Sequence, residues 1–102
     1  EKHSFDTGWS SEFPDTHVAL IKDRSGLSSK QGLACIGGVC DSSFRGSYHV
    51  IIVNLSDKAY QVKPGDKIAQ LLIVPVERTE IVEVDSLSET KRGVDGFGST
   101  GR

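Results

Sequence analysis

The sequence has little of what would place it in a membrane, around a metal or within a disulfide framework. Its longest apolar runs are Val50–Val53 and Leu71–Val76, far short of the ~20 residues that a membrane-spanning helix needs. The opening stretch EKHSFDTG has no apolar core of the kind a secretory signal carries. The expected location is therefore cytoplasmic, or nuclear or within a virus-infected host cell. Only two cysteines occur, Cys35 and Cys40, and without an export signal they are expected as reduced thiols. The three histidines, His3, His17 and His49, are scattered and polar-flanked, so no four-ligand zinc spacing is present. A net charge of −2, from 12 basic and 14 acidic residues, leaves no basic stripe, which argues against direct binding of a nucleic-acid backbone. Apolar residues are 36% of the 102, which indicates one domain with a limited core that a partner subunit would help.

What is present has mostly the period of strands. HVALIK (17–22) alternates, GLACIGGVC (32–40) is an apolar run broken at Gly37-Gly38, and YHVIIVN (48–54) is β-branched. YQV (60–62) leads into the turn Pro64-Gly65-Asp66, KIAQLLIVPV (67–76) is the longest apolar stretch, and EIVEV (80–84) alternates. Short strands between Gly, Pro, Asn and Asp predict an all-β sandwich or barrel. A helix is expected only over 67–73, and for no more than one turn, because Pro75 and the Ile/Val continuation oppose it. From Ser86 onward no periodicity remains, and the glycine-rich end reads as a mobile tail.

That end contains Gly96-Phe97-Gly98-Ser99-Thr100-Gly101, a match to the G-x-G-x-x-G of dinucleotide-binding folds. The match fails in context, because no helix and no acidic partner follow. A P-loop reading fails because Ser99 stands where lysine is needed. The phosphate-binding ingredients remain: glycines that let backbone N–H groups approach, hydroxyls on Ser99 and Thr100, and cations on Lys91 and Arg92. Phe97 has no core to join and suits stacking on a planar base. A segment of this kind that orders over a nucleotide is a lid.

Three further segments carry chemistry. DRSGLSSK (23–30) collects Arg24, Ser25, Gly26 and Lys30 at a strand end, a set that suits phosphate oxygens and equally a solvated turn. GGVCDSSFRG (37–46) holds Asp41 among Val39 and Phe44, where a carboxylate serves as a general base or as the acceptor of an Asx-turn. PGDKIAQLL (64–72) places Gln70 in an apolar run, where its amide needs a backbone or ligand partner.

Taken in order, these segments resemble four motifs of the trimeric dUTPase family. RSGLSSK is similar to its Arg-Ser-Gly-Leu-Ala motif, GGVCDSSFRG to Gly-Val-Ile-Asp-x-x-Tyr-Arg-Gly, GDKIAQLL to Gly-Asp-Arg-Ile-Ala-Gln-Leu, and RGVDGFGSTG to the glycine-rich closing motif at every fixed position. The resemblance covers about residues 12 to 101. It implies a jelly-roll, β-barrel-like subunit over 1–86, a C-terminal arm over 87–102, and a homotrimer with active sites shared between chains. It implies hydrolysis of dUTP to dUMP and pyrophosphate with Mg²⁺, which keeps uracil out of DNA and supplies dUMP for thymidylate synthesis. Asp41 is then the general base. Arg24, Ser25 and Gln70 hold phosphates, with Gly26 allowing close approach. Gly38 and Val39 read uracil through the backbone, and Phe44 lies against the deoxyribose. Phe97 stacks on the base, and Arg92, Gly98, Ser99 and Thr100 close over the phosphates. Mg²⁺ is expected on the triphosphate and water rather than in a protein cage. Other functions on the same fold are a nucleotide-sensing regulatory protein and a dCTP deaminase relative, the latter opposed by the lack of a Glu near Asp41.

Three positions depart from the family pattern. Phe44 stands for the usual Tyr, so the ring persists without its hydroxyl. Cys40 replaces an aliphatic beside Asp41, which suits a residue that packs as a small hydrophobe. Thr7-Gly8-Trp9 resembles the start of the family's first motif, but Ser10 and Ser11 follow where Asp and an aliphatic belong. Either the chain is a natural short form, or a segment of about 30 residues is missing near 9–12, enough at ~3.3 Å per residue for two or three strands; the second is expected.

Overall fold

The computed structural model describes residues 1–96. Six strands and one short helix follow in chain order: β1 (Lys2–Asp6), β2 (His17–Lys22), α1 (Ser25–Gln31), β3 (Leu33–Ile36), β4 (Val39–Cys40), β5 (His49–Asn54) and β6 (Gln70–Pro75). They form two three-stranded antiparallel sheets, β1-β5-β3 and β4-β2-β6. The all-β expectation holds: strands form within the segments 17–22, 32–40, 48–54 and 67–76.

Alternation also builds the core. On β2 Ala19 and Ile21 are buried, and on β5 Val50 and Ile52 are buried, each pair two residues apart and so on one face. Leu33 of β3 and Tyr48, just ahead of β5, complete the buried set, with Phe5, Phe13, Leu27, Cys35, Cys40 and Ile68 packed around it. β5 is central in its sheet. Its Val50 sits opposite Phe5 of β1, and its Ile52 opposite Cys35 of β3.

Four elements differ from the sequence expectation. The helix lies over Ser25–Gln31 and not over 67–73, where β6 forms instead. Its residues are indifferent helix formers, and Arg24 at its N-cap makes no side-chain capping bond. It is held by its ends and by packing: Leu27 leans on the core, Lys30 sits in the last turn where the helix dipole favours a cation, and Gly32 N–H reaches back to the carbonyls of Leu27 and Ser28. β1 carries too few apolar residues to show a period, yet it pairs along the edge of β5 over five residues. That ladder continues beyond it, Thr7 N–H donating to Tyr48 O at 2.9 Å and Tyr48 N–H to Trp9 O at 2.8 Å. Neither 60–62 nor 80–84 is a strand. A strand requires a neighbour for its backbone groups, and these segments have none among the described residues.

Two features of the exterior matter later. Val39 of β4 and Leu71, Leu72 and Ile73 of β6, with Val76 beyond it, leave the second sheet with an exposed apolar surface. Residues 77–96 are exposed throughout, Ile81 to 95%, and the radius of gyration is 18.7 Å, against ~13 Å for a compact chain of this length.

Ile52 is the test of the core. Ile52→Ala should lower stability by about 2–4 kcal/mol in urea denaturation with an unchanged slope, since it opens a cavity between β1 and β3.

Candidate active site

The turn that delivers Asp41 begins with two glycines. Gly37 and Gly38 both have positive φ, 80° and 75°, where only glycine is free of Cβ strain. They carry the chain from β3 in one sheet to β4 in the other. At Gly38 the constraint is also steric: a Cβ would lie 2.7 Å from the Ile21 carbonyl oxygen, while Ile21 N–H donates to Gly38 O at 2.7 Å. Val39 then pairs with Leu20 and Cys40 with Ala19, and Asp41 leaves the end of β4 into a turn closed by Phe44 N–H on Asp41 O at 3.1 Å.

Each oxygen of the Asp41 carboxylate has a side-chain donor. Ser43 Oγ donates to Oδ2 at 2.9 Å and Arg78 Nη2 to Oδ1 at 3.2 Å. These bonds, Ser43 first, then Arg78 and the Ser42 N–H, hold the carboxyl below its ordinary value. The group is therefore ionised at neutral pH and loses its charge only as pH falls through that lowered value. A carboxylate offers about four acceptor positions, so room for a water proton remains.

Phe44 stacks on Tyr48 with ring centroids 6.2 Å apart and planes at 10°. The ring lies over Gly46, where a Cβ would come within 2.6 Å of its Cζ. Arg45, between them, is turned away, to Ser42 O at 2.7 Å and Glu12 at 3.7 Å.

A second constellation lies elsewhere on the chain. Arg24, Ser25, Gly26, Leu27, Lys30, Gln31, Lys67 and Gln70 line an open cleft of about 550 Å³. The end of β2, the start of α1 and the start of β6 meet there. Gln70 Nε2 donates to Asp23 O at 2.7 Å and ties β6 to β2, which answers the need of its amide and leaves its second N–H available. Three cations with no carboxylate in the lining suit this cleft to an anion. Gly38, Val39, Asp41 and Phe44 are not in that lining. Arg92 is not there either; it closes a local turn, its Nε on Asp95 O at 2.6 Å. Phe97, Gly98, Ser99 and Thr100 lie outside the described residues.

Sequence reasoning passed over two residues. Lys67 stands in the quoted motif at the turn before β6, and its charge beside Gln70 was a usable signal. Arg78 follows β6 with no motif around it and is joined to Asp41 only by the fold. The cysteines are free thiols, and burial raises both from their ordinary value. Among the described residues no three His, Cys, Asp or Glu side chains gather where they could hold a metal ion.

Fold and site together define an all-β subunit bearing a cationic cleft and, outside its lining, an ionised carboxylate just past a glycine-built crossing. The dUTPase family model matches residues 1–101, and the chain belongs to the dUTPase family. It is similar to the deoxyuridine 5'-triphosphate nucleotidohydrolase of Beijerinckia indica, 39% identical over 102 residues that take in 98% of this chain and 64% of that protein. The chain thus spans somewhat under two thirds of that relative's length. The segment expected to be missing near 9–12 has no counterpart inside this alignment, whose length equals that of the chain almost residue for residue. Among solved structures, the dUTPase of Staphylococcus bacteriophage 80alpha with dUPNHPP superposes with a TM-score of 0.77 at 25% identity, over 100% of this chain and 82% of that one. A mutant dUTPase from phage phi11 of S. aureus, described as revealing the coordination of a structural Mg(II) ion, gives a TM-score of 0.65 at 25% identity over 87% and 80%.

Gly38→Ala should cost about 1–3 kcal/mol of stability, from a positive φ and a clash with backbone together. Chemical denaturation of the two proteins side by side measures it.

Proposed function

We propose that the protein hydrolyses dUTP to dUMP and pyrophosphate in a homotrimer whose active sites are shared between chains. The observation that carries the reading is the pairing of a three-cation cleft with an ionised Asp41 on one family-matched chain. In this reaction a water oxygen bonds to the α-phosphorus, its proton passes to the Asp41 carboxylate, and the bond to the bridging oxygen breaks to release pyrophosphate. Arg24, Ser25, Lys67 and Gln70 bind the phosphate chain, and Gly26 leaves room for it. Positive charge and N–H donors there stabilise the negative charge that gathers on the leaving oxygens. The Gly38–Val39 backbone meets uracil, and Phe44, held against Tyr48, meets the sugar. Arg92 and the residues Phe97, Gly98, Ser99 and Thr100 close the site as an arm.

Sharing of sites is supported by what a single chain leaves undone. Asp41 and the cleft are separate, the second sheet exposes Val39, Leu71, Leu72 and Ile73, and residues 77–96 have no core of their own. Exposed apolar area of this kind marks an interaction surface, and identical chains close it most simply as a symmetric ring.

Magnesium fits the substrate better than the chain. A hard cation wants oxygen ligands, and the cleft presents cations and amide or hydroxyl groups. Mg²⁺ would enter on the triphosphate with several of its waters, and there it would neutralise phosphate charge.

Pyrophosphate release from dUTP, compared with dCTP, dTTP and UTP, tests the reading. Turnover should be confined to dUTP, and Asp41→Asn should reduce kcat by about 10²–10⁴-fold with the fold intact. Full turnover in Asp41→Asn would sink the assigned role. Chelation of divalent cations should cut the rate at least about tenfold, and added Mg²⁺ should restore it.

A further inference from the structure

Among the described residues, it is Arg78 whose side chain joins Asp41 to a distant part of the fold. It follows the end of β6 by three positions. Its Nε donates to the Asp15 carbonyl oxygen at 2.8 Å, in the turn before β2, while its Nη2 donates to Asp41 Oδ1 at 3.2 Å. The guanidinium thus bridges β2's entry and β4's exit, using two edges of a planar group whose donor directions are fixed. Oδ2 is held independently by Ser43, so the two donors together leave the carboxylate little rotational freedom.

Among the described residues the charge acting on Asp41 is that of Arg78; Ser43 and the Ser42 N–H act on it by hydrogen bonds. Arg45, in the same turn, is engaged with Ser42 O and Glu12. The nearest strand partner contributes Ala19, opposite Cys40. Within the chain, among the described residues, no other cation bonds to this carboxylate.

We infer that Arg78 is a positioning residue for Asp41: braced on the Asp15 carbonyl, it fixes the orientation of the carboxylate. This rests on the reading of Asp41 as the base in dUTP hydrolysis. Arg78 touches no substrate in this role and acts through Asp41 alone. The pair is half exposed, at 55% and 58% for the two side chains, so its electrostatic part is moderate and sensitive to salt.

The test uses Arg78→Gln and Arg78→Lys in the intact protein, with Asp41→Asn as reference. Arg78→Gln should lower kcat about 3–10-fold with KM nearly unchanged, as expected when the geometry of a base is loosened. Losing the cation lets Asp41 take up its proton at higher pH, so the acid limb of kcat/KM should move upward, and less so in 1 M salt. Arg78→Lys keeps the charge but has a single nitrogen for two acceptors. It should return the limb toward its wild-type position while kcat stays reduced.

Wild-type kcat and an unmoved acid limb in a folded Arg78→Gln protein overturn the inference and leave the functional reading intact. Full kcat in Arg78→Lys overturns the positioning part, and this variant carries the test if Arg78→Gln fails to fold. A wild-type protein that releases no pyrophosphate, or full activity in Asp41→Asn, overturns the functional reading and this inference with it.

Discussion

The crossing at Gly37-Gly38 is the constraint on which the site depends. Two successive left-handed residues turn the chain out of the β1-β5-β3 sheet and into the other. The second does so in contact with the backbone of β2, close enough that no side chain fits. Asp41 lies three residues beyond, on a strand of only two residues. A strand so short cannot define its own path, so the hydrogen bond between Ile21 and Gly38 defines it. The Asp41 carboxylate is therefore set by backbone geometry ahead of β4 and by Ser43 and Arg78 beyond it.

The same chain separates what the chemistry has to unite. Cationic and amide side chains collect where β2, α1 and β6 meet, whereas the carboxylate and the aromatic pair Phe44–Tyr48 stand beyond β4. Apolar side chains stay in water on the second sheet, and a twenty-residue run after β6 stays exposed. Each of these is costly for an isolated small domain, whose net stability is only several kcal/mol. Each is accounted for by the proposed assembly, in which surfaces left open by one copy are covered by another.

Much of this was legible in the sequence where side chains report directly on their surroundings. The inward pairs Ala19/Ile21 and Val50/Ile52 alternate because a half-buried strand demands it, and the Gly37-Gly38 break marked the sheet crossing. The motif residues Arg24, Ser25, Gly26 and Gln70 do converge on one cleft. Other parts depend on contacts that a linear reading does not contain. β1 is a strand because β5 has an edge to pair, and its own residues show no period. α1 is a helix because Leu27 and Gly32 hold it, against indifferent propensities. Residues 80–84 show the opposite failure: Ile81, Val82 and Val84 alternate with charges as in a strand, but no neighbour within the described chain receives them. Arg78 was invisible for the same reason, since its meaning lies in Asp15 and Asp41, both far away in sequence.

The central claim is that the Asp41 half and the Arg24 half of a working site come from different copies of the chain. Subunit complementation tests it most directly. Asp41→Asn and Arg24→Ala proteins are each assayed for dUTP hydrolysis, then co-assembled in equal amounts from unfolded chains and assayed again. Random mixing around a ring pairs an intact Asp41 with an intact Arg24 of a neighbour in about a quarter of the sites, so roughly that fraction of wild-type activity should return. A mixture that remains as inactive as its two components would contradict the account, because it would place both halves of the site within one chain.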